Sequence, residues 1–484
     1  MRSIQKIIGR KKELSILKEA FKSPRAEFLA IYGRRRVGKT FLVKNFFDSQ
    51  PCLFVYVSGM KNSPLKQQLK NFTKVLESVW FQGIAVPSNW LEAFETLTHL
   101  IENSDKKQKI VVFLDELPWL ATPKSKMMEA LDYYWNRYWS NNSKIKLIVC
   151  GSAASWMIKN IIYNKGGLYN RITRQFRLEP FSLKETKDFL SSNRVQLNYR
   201  HALEIYMVTG GVPYYLTHLR QKLSAAQNID AMAFQPQGIL YQDFEILFAS
   251  LFDDEHQYTD IIRVVAEHRY GIMQEELLKQ CKHVTSGGRG IEKLKNLEEA
   301  GFLTSFLSDG RRKKGIYYRL IDEYSAFYLK WMEPLKKSSQ KFSKISWSRL
   351  RESPSWKSWS GYCFETICFK HVDQIRNALN LDETAIAKTW KHKGKGLEQG
   401  AQIDLLFDRS DDSITICEIK YTDKPFAIDK PYFSILKNKI ESYKIQTQTL
   451  KQIFLAIITT SGIKKNIYSE ELETQVVKLN QLFE

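Results

Sequence analysis

Residues 28–47 read FLAIYGRRRVGKTFLVKNFF. An apolar run from Phe28 to Tyr32 leads into Gly33, four residues, then Gly38-Lys39-Thr40, and then a segment with helical spacing. Few patterns constrain a chain as tightly, because each part needs the others. The glycines let the backbone from Gly33 through Arg34, Arg35, Arg36 and Val37 to Gly38 curl with its N–H groups inward, around an anion. The following helix points the positive end of its dipole at the same place. Lys39 adds a full positive charge, and the Thr40 hydroxyl falls where a divalent cation is held. A strand, a phosphate-sized loop and a helix in that order predict a β-α unit in a parallel sheet.

Residues 110–116, IVVFLDE, form a second apolar run that ends in two acids. Paired with the loop, they read as the Walker B element of a P-loop nucleotide site. Asp115 is expected to hold Mg²⁺ through water, and Glu116 to orient or deprotonate the attacking water. Two adjacent acids point to a class that hydrolyses ATP rather than one that only binds it. Further strands are predicted at 53–58, 146–152 and 174–180, with helical patterns between them, giving an α/β fold with helices on both faces. Ser152 ends one of these strands, either as a sensor of the γ-phosphate or as a strand cap. Arg171, in GLYNRIT, reads as an arginine finger acting across a homo-oligomer interface, or as a surface or DNA-phosphate arginine.

The stretches IIGRKKELSIL, IYGRRRVGKT, VVFLDE, CGSAASWM, LYNRIT and TGGVPYYL, in that order, resemble the archaeal-type P-loop ATPases, which are similar to the AAA+ and STAND classes. The resemblance covers residues 1–240. It implies ATP and Mg²⁺ as cofactors. It also implies that Gly9, Arg10 and Glu13 lead into an adenine pocket, and that Gly210, Gly211 and Pro213 lie in a helical lid near the base.

Lys plus Arg number 73 against 52 Asp plus Glu, a formal charge of +21. That excess favours a polyanionic partner, either nucleic acid or an acidic membrane surface. No apolar stretch approaches the ~18 residues of a membrane span, and the N-terminus lacks a signal-peptide core, so a cytoplasmic protein is expected. The six cysteines are scattered without metal-ligand spacing and read as buried thiols.

Residues 250–325 read as helix, helix, helix and a β-hairpin whose tip carries Arg311, Arg312, Lys313 and Lys314. This order resembles a winged helix-turn-helix, a module that either binds DNA or docks proteins. The aromatic and Lys/Ser-rich stretch at 326–355 reads as a linker.

Residues 356–484 begin with a helical pattern, SGYCFETICFKHVDQI, followed by QIDLLFDRSDDSITICEIKY, a helix and two further strands. Two β-rich runs flank the polar stretch DRSDDS, so Asp404 and the pair Glu418 and Lys420 fall on adjacent strands of a hairpin. A carboxylate inside a strand is costly without a partner or a metal. The arrangement resembles the PD-(D/E)xK restriction-endonuclease-like fold, with Gln402-Ile403-Asp404 replacing the usual proline. The resemblance implies Mg²⁺, with Mn²⁺ as a substitute, held by Asp404 and Glu418, with Glu365 as an auxiliary acid and Lys420 acting on the water or the developing phosphorane. The expected whole is an ATPase coupled to a nuclease domain that acts on nucleic acid, with DNA the expected form. The alternatives are a nucleotide-controlled switch whose nuclease-like fold has lost cleavage, and an ATP-driven remodeller.

Overall fold

In a computed structural model the first apolar run forms strand β1 (Glu27–Tyr32). The structure describes residues 6–105, 107–163, 166–307, 315–338, 346–392, 394 and 400–484. Helix α1 (Lys11–Lys22) precedes β1, and helix α2 (Lys39–Phe47) follows the glycine loop. With β2 (Cys52–Ser58), β3 (Lys109–Asp115), β4 (Ile145–Gly151) and β5 (Arg174–Arg177), β1 builds a parallel sheet of order β2-β3-β4-β1-β5. Side chains alternate faces along each strand, so β1 feeds two cores. Phe28 and Ala30 join Val112 and Leu147 on one side, and Leu29 and Ile31 join Phe113 and Ile148 on the other. Burial on both faces explains why β3 and β4 read as continuous apolar runs. The glycine loop and the acids at the end of β3 therefore share the carboxyl edge of the sheet, where such sheets bind ligands.

By packing, the chain divides into two units: Met1–Pro180 with Ala249–Asp253 and Lys295–Gly301, and Phe181–Phe248 with Asp254–Leu294 and Phe302–Glu484. Residues 181–240, the last part of the 1–240 stretch expected as one ATPase domain with its helical lid, fall in the second unit by this division. They include helix α3 (Tyr199–Thr209), which ends at Gly210 in the left-handed region.

Further along run α4 (Glu255–Glu267), β6 (Ile272–Met273), α5 (Gln274–Gln280), α6 (Gly288–Glu299), β7 (Leu303–Leu307) and β8 (Ile316–Leu320). The strands form an antiparallel sheet of order β6-β8-β7. Leu294, Leu297 and Phe302 are buried as the helical spacing predicts, whereas Ile291 is exposed. The basic tip, Arg311 to Lys314, lies outside the described residues.

The linker expected at 326–355 is instead largely helical where it is described, at Glu323–Phe327, Tyr328–Met332, Glu333–Lys337 and Trp347–Leu350. Its tryptophans explain the difference. Trp331, Trp347, Trp356 and Trp359 pack on one another, with the Trp347 and Trp356 rings 4.9 Å apart, and such aromatic burial stabilises order in a stretch whose Lys/Ser content suggests none.

The C-terminal part opens with α7 (Pro354–Lys370) and continues with β9 (Ile386–His392), β10 (Ala401–Asp408), β11 (Ser413–Lys420), β12 (Phe426–Ala427), α8 (Lys430–Thr447), β13 (Gln452–Thr459), β14 (Ile463–Lys464) and β15 (Gln475–Lys478). Its main sheet has the order β15-β13-β11-β10-β9. It is antiparallel from β9 to β11 and parallel from β11 to β15. DRSDDS is the β10–β11 turn, closed by the Arg409 N–H donating to Ser413 O and by Asp412 in the left-handed region. All six cysteines are free thiols, and five of them are buried.

Candidate nucleotide site and acidic cleft

The loop after β1 needs its glycines. Gly33 has φ 136°, and a Cβ there would lie 2.4 Å from the Leu178 carbonyl oxygen. Gly38 has φ 94° and starts α2. Behind the loop, buried Arg10 donates to Val37 O at 3.1 Å and to Glu179 O at 2.8 Å. Arg10 thus braces the loop's backbone, a role the sequence motif does not reveal.

The Lys39 ammonium donates to Gly33 O at 2.8 Å, Arg34 O at 2.9 Å and Ser152 Oγ at 3.0 Å. Ser152 Oγ also donates to Glu116 Oε1 at 2.6 Å, and the Ser152 N–H to Glu116 Oε2 at 3.1 Å. Thr40 Oγ1 donates to Asp115 Oδ2 at 2.7 Å, and Tyr56 OH reaches the same oxygen at 3.4 Å. Residues far apart in the chain thus form three contacts: Lys39–Ser152, Ser152–Glu116 and Thr40–Asp115. Lys39 and Asp115 are both buried, where charge–dipole interactions are strong. Burial, then Asp115, pushes the Tyr56 phenol up to about 12, so it remains a hydrogen-bond donor to that carboxylate. Glu116 has φ 49°, a left-handed conformation that strains a non-glycine residue and turns its carboxylate toward Ser152. Arg34 is buried, and Arg35 and Arg36 are half-buried.

Arg171 is not drawn into this network. It is exposed, on the turn before β5. Pro213 opens the short helix Pro213–Leu216 of the second unit.

In the C-terminal sheet Leu405 pairs with Cys417, and continuing that register sets Asp404 opposite Glu418. Glu418 is buried and held by cations: Lys439 at 2.7 Å and Lys420 at 2.9 Å, with Tyr432 OH donating to it as well. Burial pushes Glu418 up, but Lys439 and Lys420 outweigh it and hold the carboxyl below its usual range. Asp404 accepts from Gln402 Nε2 at 2.9 Å, and burial followed by Glu418 raises it. Glu365, on α7, pairs with Arg269 at 3.1 Å, and burial together with Asp404 pushes it up to about 7. Asp404 and Glu365 line one cleft with Arg269 and Arg319.

The cage expected of Asp404, Glu418 and Glu365 is not assembled: among the described residues no three His, Cys, Asp or Glu side chains converge to hold a metal. Glu418 faces two lysines instead. The donor set still suits a hard divalent cation, because Asp404 and Glu365 are oxygen ligands whose proton affinity is raised by burial first and by a neighbouring carboxylate second, and a cation offsets both. Sequence reasoning missed Lys439 and Tyr432. Their signal is faint: Tyr432, Leu436 and Lys439 recur at helical spacing, which places all three on one stripe of α8.

Residues 7–219 match the family described as an ATPase domain predominantly from Archaea. An uncharacterized protein of Methanocaldococcus jannaschii is 25% identical over 425 residues, covering 86% of this chain and 88% of that one. An uncharacterized ATP-binding protein of the same organism is 40% identical over 50 residues, 10% of this chain and 85% of that one. Among solved structures, a Walker-type ATPase of Pyrococcus abyssi matches with a TM-score of 0.47 and 16% identity over 67% of this chain and 96% of that one. The ORC2 protein of Aeropyrum pernix, in ADPNP and ADP complexes, matches with a TM-score of 0.44 and 16% identity over 77% and 98%. No described helix is long and apolar enough to cross a membrane. The glycine loop and the paired acids both fall within the matched stretch, so residues 7–219 are similar to an ATPase domain found predominantly in Archaea.

Proposed function

We propose that this ATPase domain works with a C-terminal nuclease-like domain, so that ATP binding and hydrolysis gate or position the cleavage of nucleic acid. The observation that carries the ATPase chemistry is the contact chain Lys39–Ser152–Glu116 beside Thr40–Asp115. When ATP enters, the loop N–H groups take its phosphates, and Lys39 exchanges the loop carbonyls for β- and γ-phosphate oxygens. Glu116 holds the attacking water, and Ser152, bonded to both Lys39 and Glu116, links phosphate occupancy to the position of that carboxylate. Thr40 and Asp115 would hold Mg²⁺ here, and Asp404 with Glu365 would offer oxygen ligands to Mg²⁺ or Mn²⁺ in the second unit, with Glu418 held by Lys439 and Lys420. A bound cation supplies charge to phosphoryl oxygens and acidifies a bound water. Arg171, exposed before β5, serves as the finger supplied to a second copy of the chain. The three-helix and hairpin module around β6, β7 and β8 is read as a winged helix that contacts DNA, in keeping with the net basic charge.

A second reading is favoured by one feature. The double lysine grip on Glu418 satisfies that carboxylate without a cation, as in a domain that binds nucleic acid but no longer cuts it. The first assay is ATP turnover. Lys39→Ala should abolish it with the fold retained, and Glu116→Gln should keep ATP binding but stall hydrolysis. Unchanged turnover in Lys39→Ala refutes the assignment of the site.

A further inference from the structure

The cleft beside Asp404 and Glu365 is walled by two modules of the second unit. Arg269 and Arg319 come from the three-helix and hairpin module, whereas Glu365, Trp390 and Asp404 come from the C-terminal domain. Arg319 lies on β8, the central strand of its sheet, between the buried Tyr318 and Leu320, so its side chain is fixed on the face opposite that core. Its guanidinium lies over the Phe369 ring at 4.6 Å, and its Nε is shielded from water without a hydrogen-bond partner. Among the described residues no carboxylate pairs with it within 4.0 Å. Burial lowers its proton affinity, and Glu365 and Asp404 act on it only through their field. A second guanidinium, that of Arg269, spans Tyr270 and Tyr362 at 5.2 and 5.3 Å and has one bond to Glu365, and its Nε also lacks a partner.

Arg319 is half-buried with its Nε cut off from water, and the Phe369 ring and the field of Glu365 and Asp404 offset that cost without giving the guanidinium a hydrogen-bonded acceptor. Its planar fork, stacked on an aromatic ring, matches the geometry of phosphate oxygens. The adjacent carboxylates repel an anion, so a phosphate reaches them only if a fixed cation faces it from the other wall. The cavity, about 60 Å³, has room for a few water-sized groups, which suits one phosphoryl group and not a base pair.

We infer that Arg319, supported by Arg269, is a phosphate anchor that the hairpin module supplies to the acidic cleft of the C-terminal domain, and that its ligand is a backbone phosphodiester of a nucleic-acid strand. The inference rests on the nuclease-like reading of that domain. It makes the cleft a composite of two modules, with the hairpin acting at the reacting phosphate and not only on a distant groove.

The test uses the full chain, a fluorescein-labelled single-stranded oligonucleotide and Ca²⁺ in place of Mg²⁺, with anisotropy measured from 50 to 300 mM salt. Arg319→Gln should weaken binding about tenfold at low salt and reduce the slope of log Kd against log salt by ~0.7, the loss of one phosphate contact. Arg319→Lys should bind more weakly than wild type with the slope kept, because the charge remains and the fork is lost. A merely structural role for Arg319 would leave the slope unmoved in both variants. Wild-type affinity and slope in Arg319→Gln overturn the anchor alone, and so does a slope in Arg319→Lys as shallow as that of the glutamine variant. If wild type itself shows no salt-dependent binding, both the anchor and the nucleic-acid reading fall.

Discussion

Glu365→Gln offers a direct view of the acidic cleft. Burial and Asp404 raise Glu365 from its usual 4.5 to about 7. Its side chain is only 15% exposed, so solvent screening removes little of the effect. A carboxyl whose proton affinity is higher in the folded chain gives stability that is complete below about pH 4.5 and is lost as pH rises through about 7. At 1.36 kcal/mol per pH unit of displacement, ionising Glu365 in the fold costs about 3 kcal/mol. Asp404 shares the strain and Arg269 loses its partner in the variant, so the substitution should recover about 1–3 kcal/mol at pH 8 and almost nothing at pH 5. Urea unfolding followed by tryptophan fluorescence at both pH values, in EDTA, measures this difference. Adding Mn²⁺ at pH 8 should stabilise wild type more than the variant. An equal effect of the substitution at pH 5 and pH 8, or an identical response of both chains to Mn²⁺, refutes the crowded-carboxylate account.

Two other positions give independent checks. His371 is buried, accepting from the Leu183 N–H at Nε2 (3.0 Å) and donating from Nδ1 to Ile367 O (2.8 Å), and burial lowers it from 6.5 to about 4. Its folded-state proton affinity is depressed, so its contribution is complete above about pH 6.5 and lost as pH falls toward 4, an order of about 3 kcal/mol. NMR titration of the His371 ring should find it neutral at pH 5.5; a charged ring at that pH contradicts the buried geometry. Gly33→Ala places a methyl against Leu178 O in a conformation that favours glycine, so ATP affinity and melting temperature should both fall; unchanged ATP affinity would mean that the loop relaxes around the clash.

The geometry of the candidate nucleotide site was legible because each of its parts is a local pattern with one folding consequence. The run Phe28–Tyr32 had to be a buried strand, and Gly33 to Thr40 had to be its loop. Once β1, β3 and β4 stand side by side in parallel, Lys39, Asp115, Glu116 and Ser152 meet at one edge without further information. The Asp404–Glu418 opposition was legible for the same reason, since a short polar turn fixes a hairpin register. What the sequence hid depends on long-range packing. Arg10 reads as the start of a motif, yet its buried guanidinium braces Val37 O and Glu179 O. Lys439 reads as one lysine among many in a basic helix, and only the seating of α8 on the sheet brings it to Glu418. The 326–355 stretch carried a surface-like Lys/Ser composition, and its scattered tryptophans decided the outcome by packing together.

The central claim is that two chemistries share this chain. Its most direct test is the incubation of linear and plasmid DNA with the full chain, with Mn²⁺ or Mg²⁺, and with or without ATP, beside Asp404→Ala and Lys39→Ala. The account predicts metal-dependent cleavage in wild type, its loss in Asp404→Ala with ATP turnover intact, and a changed ATP dependence in Lys39→Ala. Cleavage that persists unchanged in Asp404→Ala, or a wild type that cuts neither DNA nor RNA with any of these metals while still hydrolysing ATP, contradicts it.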